Sequence, residues 1–145
     1  MIVVVDRKQF TLEVWNPGPG AERAKRVHHC RVAVGMEGFA TPKGVYETGP
    51  RSRTPDWRAP AWVDPPMVPG QIYHFGSPAN PYQAGLISLH GQSRSGVPRE
   101  GYAIHGTKNE ASIPGRASHG CIRVKSNDLL WLYEHLEDNT IVVIV

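Results

Sequence analysis

"YAIHGTKNEASIPGRASHGCIRV", residues 102–124, gathers three of the chain's 15 glycines, two of its seven histidines and one of its two cysteines. Either it is a glycine-rich turn that carries polar residues incidentally, or it is a site built around Cys121. A thiol attacks well only as thiolate, which requires a neighbouring imidazole, a cation or aligned main-chain amides. In Ser118-His119-Gly120-Cys121 a sharp turn at Gly120 aims its amide and that of Cys121 at one point, the arrangement of an oxyanion hole. His105 stands at the end of an apolar strand, Tyr102–Ile104, and Gly106 lets the chain leave it abruptly. If that strand lies beside the one leading into Cys121, His105 can act as base toward the thiol, with a carbonyl orienting its other nitrogen. Two rival readings remain: a buried structural cysteine with surface histidines, and a zinc site drawn from His90, His105, His119 and Cys121. The zinc reading lacks the usual Cys-x2-Cys or His-x3-His spacing.

Outward from this stretch the chain breaks into short β-prone runs. Ile2–Val5 and Phe10–Trp15 flank Asp6-Arg7-Lys8 as a hairpin, and Asn16-Pro17-Gly18-Pro19-Gly20 is a turn. Val27–Val34, Val45–Thr48, Ile72–Phe75 and Leu86–Leu89 read as further strands. Residues 49–70 hold six prolines and two tryptophans with no sustained period. Such a segment is either a lid over a site or a proline-stiffened crossover with Trp57 and Trp62 packed as minor core. One helix is expected near Ser126, with N-cap candidates in Ser126-Asn127-Asp128. Leu129, Leu132, Tyr133 and Leu136 then trace one buried face. Ile141–Val145 follows as an apolar closing strand, expected at the centre of the sheet. The fold class is mainly β with one late α-helix.

The whole chain bounds these readings. At 145 residues it fits one domain, 1–145, and 40% apolar with 20% charged residues suits a globular fold. A net charge of +3 comes without any dense Lys/Arg run, so nucleic acid is not an expected partner. No stretch approaches the about 20 apolar residues of a membrane span, and the first residues are too short and too soon charged for a signal peptide. An export signal or anchor would therefore lie outside an excised domain. Cys30 and Cys121 are too few for a disulfide framework, and a bridge between them would consume the nucleophile.

"HGT" followed by "SHGCIR" resembles the signature of the L,D-transpeptidase catalytic domain, the YkuD-like family. "ATPKGVYETG", "NPYQAGLISL" and "DNTIVVIV" resemble further segments of it in the same order, so the likeness spans nearly the whole chain. The resemblance implies a β-sandwich-type catalytic domain acting on peptidoglycan stem peptides outside the cytoplasm, in the cell wall or periplasm. It assigns Cys121 as nucleophile and His105 as general base and acid, with the Gly106 carbonyl orienting His105. The amides of Gly120 and Cys121 would stabilise the oxyanion, and His119 would line the site. Arg123, Ser118 and Thr107 would meet substrate, although many relatives carry Asn where this chain has Arg123. The implied chemistry is a thioester formed with loss of D-alanine and resolved by an amine of a second stem, or by water in an L,D-carboxypeptidase. No metal or cofactor is called for, and carbapenems are expected to acylate Cys121. A non-catalytic wall-binding module is the reading from another class.

Overall fold

The structure, a computed structural model, describes residues 1–20 and 23–145. Among the described residues, twelve strands and one α-helix follow one another. β1 (Ile2–Asp6) and β2 (Thr11–Asn16) form the expected hairpin. Phe10 falls in its turn at φ 55 rather than in the strand. The single strand expected over Val27–Val34 is two, β3 (Lys25–Arg31) and β4 (Ala33–Gly35), separated by Val32. β5 (Gly44–Ser52) and β8 (Tyr82–Gly91) each run longer than their apolar cores suggested, because each carries a bulge that absorbs a break in alternation. β9 (Tyr102–Thr107) continues through His105 and Gly106, so Gly106 is not an exit from the strand. β10 (Gly115–Ser118), β11 (Ile122–Val124) and β12 (Ile141–Ile144) complete the main sheet.

The strand order is β10-β4-β11-β9-β8-β5-β12-β1-β2-β3. β3, at one end of this order, is joined through Val32 alone to β4, next to the other end. The sheet therefore wraps back on itself around one apolar core. Val3, Val5, Leu12, Val14, Ile87, Leu89, Ile104, Ile122 and Val142 alternate into it along their strands. β12 lies between β1 and β5, central as its unbroken apolar run implies.

α1 (Ser126–His135) buries Leu129 and Leu132 into that core and packs against β8 and β9. Its N-cap is Lys125, not Ser126, and the first-turn amide of Ser126 donates to the Glu110 carboxylate at 2.8 Å. At the other end Arg51 Nη1 donates to the carbonyls of Tyr133 and Leu136 at 2.9 and 2.6 Å. Both helix ends are thus satisfied from distant segments, which no local capping pattern encodes.

Residues 49–70 are not one loop. The first four extend β5, and β6 (Trp57–Arg58) pairs with β7 (Ile72–Tyr73) in a separate two-stranded sheet. The buried Asn80 fastens this small sheet: its Nδ2 donates to Pro55 and Tyr73 carbonyls, both at 3.0 Å, and its Oδ1 accepts the Tyr82 amide at 2.9 Å.

Candidate active site

β9 and β11 run parallel, with Ile122 opposite Ile104 and Arg123 opposite His105. Ile104, Ile122 and Val124 point into the core, so alternation sends His105 and Arg123 to the opposite face. Cys121, immediately before β11, shares the parity of Arg123. The strand beside β9 is therefore the one leaving Cys121, not the one leading into it; β10, which leads in, pairs with β4. Cys121, His105 and Arg123 line one cavity of about 610 Å³.

His105 is buried, and its Nδ1 lies 2.7 Å from the Gly106 carbonyl oxygen. A carbonyl only accepts, so Nδ1 carries the proton and Nε2 keeps a free lone pair. The Tyr82 ring stands edge-on to the imidazole, centroids 4.7 Å apart. Burial drives the His105 pKa down to about 4, with the Arg123 cation acting in the same direction and the Gly106 bond opposing. The imidazole is neutral at neutral pH. The Cys121 thiol is half-buried; burial raises its pKa, while an Ala103 main-chain hydrogen bond and the Arg123 charge pull it back. Arg123 thus disfavours imidazolium and favours thiolate. Desolvation lowers its own pKa, and it reaches Ser112 Oγ at 3.3 Å.

The turn before Cys121 is tied from three sides. Ser118 Oγ donates to the Cys121 carbonyl and accepts the Gly120 amide at 3.1 Å. Thr41 Oγ1 donates to the Gly120 carbonyl at 2.8 Å and accepts the Gly35 amide at 2.9 Å. Gly120 sits at φ +121, and a Cβ there would lie 2.7 Å from the Tyr102 ring. Three sequence expectations change accordingly. The Gly120 amide, expected to face an oxyanion, is held by Ser118. Ser118 lines the cavity, but its hydroxyl is spent on the turn rather than on substrate. Thr107 is buried and its Oγ1 accepts the Asn109 amide at 3.1 Å, closing the turn after β9.

His119 does line the cavity, at its mouth. Its ring stacks on Trp62 at 3.5 Å and 13°, and Phe39 meets it edge-on at 4.5 Å. Trp62 remains 47% exposed, so it is a wall of the cavity and not minor core. The segment from Trp57 to Met67 roofs the site. Tyr82 was missed, although it stands inside a quoted motif. Burial and the nearby Cys121 raise its phenol pKa, and it lines both the main cavity and a second one of about 350 Å³. Cys121 borders both cavities as well.

Among the described residues the four of the zinc reading do not converge. His90 borders the smaller cavity with Cys121, but its ring packs so close over Gly49 that a Cβ on that glycine would approach it to 2.7 Å. Cys30 is a free, buried thiol of the core, pushed up to about 12 by burial and by Asp128, and it forms no bridge to Cys121.

Comparison with known proteins places this geometry. The family model of the L,D-transpeptidase catalytic domain matches residues 1–144. A putative L,D-transpeptidase, YqjB of Bacillus subtilis, is 29% identical over 113 residues, covering 78% of this chain and 56% of that protein. A probable L,D-transpeptidase, ErfK/SrfK of Escherichia coli, is 29% identical over 121 residues, covering 79% of this chain and 36% of its own length. The chain thus spans about half or less of these relatives. Among solved structures, an Enterococcus faecium L,D-transpeptidase mutant aligns with TM-score 0.69 at 17% identity, covering 99% of this chain and 49% of its own. L,D-transpeptidase 3 of Mycobacterium tuberculosis, in complex with a faropenem-derived adduct, aligns with TM-score 0.62 at 20% identity, covering 99% and 59%. At these identities the structures speak for the fold.

Proposed function

The chain belongs to the L,D-transpeptidase catalytic domain family, and on that premise we propose that residues 1–145 form one catalytic domain that cross-links peptidoglycan stems through a Cys121 thioester. The observation that carries the reading is the Nδ1–Gly106 bond, which leaves the His105 Nε2 lone pair free in the cavity that holds Cys121. Thiol and imidazole start neutral. As Sγ attacks the carbonyl between the third stem residue and terminal D-alanine, Nε2 takes the thiol proton. The Cys121 amide stabilises the oxyanion, since the Gly120 amide is engaged by Ser118. Collapse breaks the C–N bond, His105 returns the proton to the departing amine, and a thioester remains. An amine of a second stem then attacks; His105 removes its proton and delivers it to the released sulfur.

Arg123 supports the charge that develops on sulfur. His119 and Trp62 form the rim against which a stem peptide lies. The sulfur borders two cavities, of about 610 and 350 Å³. Two approaches to one thioester suit a donor and an amine acceptor better than water alone, which favours transfer over L,D-carboxypeptidase action. Peptidoglycan as substrate places the reaction outside the cytoplasm; no described helix is long and apolar enough to cross a membrane. A carbapenem would acylate the same sulfur, needing no cofactor.

The test is product mass from a tetrapeptide stem with and without an added stem amine. Cross-linked dimer together with released D-alanine is expected. Tripeptide alone, despite abundant acceptor, points to the hydrolase, and turnover that survives Cys121→Ala overturns the proposal.

A further inference from the structure

A second cluster of reactive side chains lies on the other side of the molecule's core, where β3 meets the first turn of α1. His28 and Cys30 are alternate residues of β3 and point the same way, inward. Asp128, one hundred residues from His28, faces them from α1, and His28 Nε2 lies 3.0 Å from Asp128 Oδ1. The donor atoms of His28, Cys30 and Asp128 all lie within 4.8 Å of one another. Among the described residues no other trio of His, Cys, Asp or Glu gathers so closely.

From this geometry we propose that His28, Cys30 and Asp128 form a binding site for a zinc-class divalent ion, clamping β3 to α1. Bond lengths of roughly 2.0–2.3 Å to nitrogen, oxygen and sulfur set neighbouring ligands of a tetrahedral ion about 3.3–3.5 Å apart. The trio needs only small side-chain adjustments to reach that spacing. One nitrogen, one thiolate and one carboxylate oxygen is a borderline-soft set that suits zinc over magnesium or calcium. On binding, the Cys30 S–H bond breaks, a sulfur–metal bond forms and the thiol proton passes to water, while His28 shifts its ring proton from Nε2, which faces Asp128, to Nδ1, so that Nε2 ligates. His28 and Asp128 keep 16% and 24% of their side chains exposed, which leaves one side open for ion entry and for water as fourth ligand.

The surrounding structure supports a built site. The His28 ring lies flat on Trp131, centroids 4.2 Å apart at 11°, which fixes its plane. Trp131 is itself backed by His135 at 4.2 Å and 9°. Between Val14 and Trp15 the pairing with β3 slips by one residue, so Val27 is the extra residue there. Beside this bulge the strand exposes an apolar side chain, Val27 at 42%, while alternation with Cys30 turns His28 inward. That inversion of ordinary strand patterning marks a place where local stability yields to another requirement. The site uses no residue of the Cys121 cavity, so it stands or falls separately from the proposed reaction.

The test uses the full 145-residue chain carrying Cys121→Ala, so that Cys30 is its one thiol. Titration with Co2+ is expected to give one ion per chain and a thiolate-to-cobalt charge-transfer band, which Zn2+ displaces. Asp128→Asn and His28→Gln should each weaken binding at least about tenfold, and Cys30→Ser should remove the band. Asp128→Asn is nearly isosteric, so it serves if the other variants fold poorly. Absence of any band in the parent protein, or a band of unchanged affinity in Asp128→Asn, overturns the proposal.

Discussion

Thr41 and Gly120, 79 positions apart, are joined by a 2.8 Å hydrogen bond from the threonine hydroxyl to the glycine carbonyl. The same hydroxyl accepts the Gly35 amide, so one buried side chain fastens the turn before Cys121 to the end of β4. Thr41→Val keeps the shape but strands a buried donor and a buried acceptor. A loss of about 2–4 kcal/mol in urea unfolding is expected, with slower acylation of Cys121 by a carbapenem. Thr41→Ser should restore most of both. Unchanged acylation in a folded Thr41→Val protein would contradict this role.

The depressed pKa of His105 fixes a pH dependence of stability. The group titrates at about 4 when folded and near 6.5 otherwise, so the unfolded chain binds more protons between those values. Its contribution is complete above pH 6.5 and declines as pH falls through 6.5 toward 4. The total is about 3 kcal/mol. Urea midpoints measured from pH 7 to pH 4 should fall more steeply for the parent than for His105→Gln. Parallel slopes would mean that His105 is not buried in its neutral form.

Gly106 faces the Gln83 carbonyl so closely that a Cβ would sit 1.8 Å from that oxygen. The obstacle is main chain, fixed by the β8–β9 ladder. Gly106→Ala should cost more than about 4 kcal/mol or prevent folding. Gly38→Ala is the control: its φ of +82 is unfavourable to a side chain, which is not the case at Gly106, yet nothing lies within 4 Å of it. About 1–2 kcal/mol is expected there. Thermal unfolding of both separates backbone collision from backbone strain, and equal losses would refute the distinction.

Trp62 touches the rest of the molecule mainly through the rings of His119 and Phe39. Trp62→Ala should change stability by less than about 1 kcal/mol while raising KM for a stem peptide severalfold. Loss of folding with no KM effect in the folded remainder would return the tryptophan to a packing role.

The sequence made some of this plain and concealed the rest for physical reasons. The β1–β2 hairpin, the central β12 and the buried face of α1 are local patterns, set by alternation or by a helical period. That Cys121 and His105 line one cavity was legible because thiol chemistry demands an imidazole and because the surrounding motif is distinctive. Thr41, Asn80 and Glu110 were not, since each acts through hydrogen bonds to main chain that include at least one partner brought near only by the fold. The hydrogen bond from the Gly120 amide to Ser118 Oγ could not be read from the sequence, because it depends on how the turn brings the two together. Residues 49–70 had no period to read; their order comes from the β6–β7 pairing and from Asn80. His28 and Asp128 meet only after β3 and α1 have packed.

The most direct measurement is intact mass of the protein quenched during reaction with a tetrapeptide stem. The account predicts a mass increase equal to the stem less its terminal D-alanine, mapped to Cys121, absent in Cys121→Ala and strongly slowed in His105→Ala. An adduct on any other residue, or one that forms as fast without the imidazole, would contradict it.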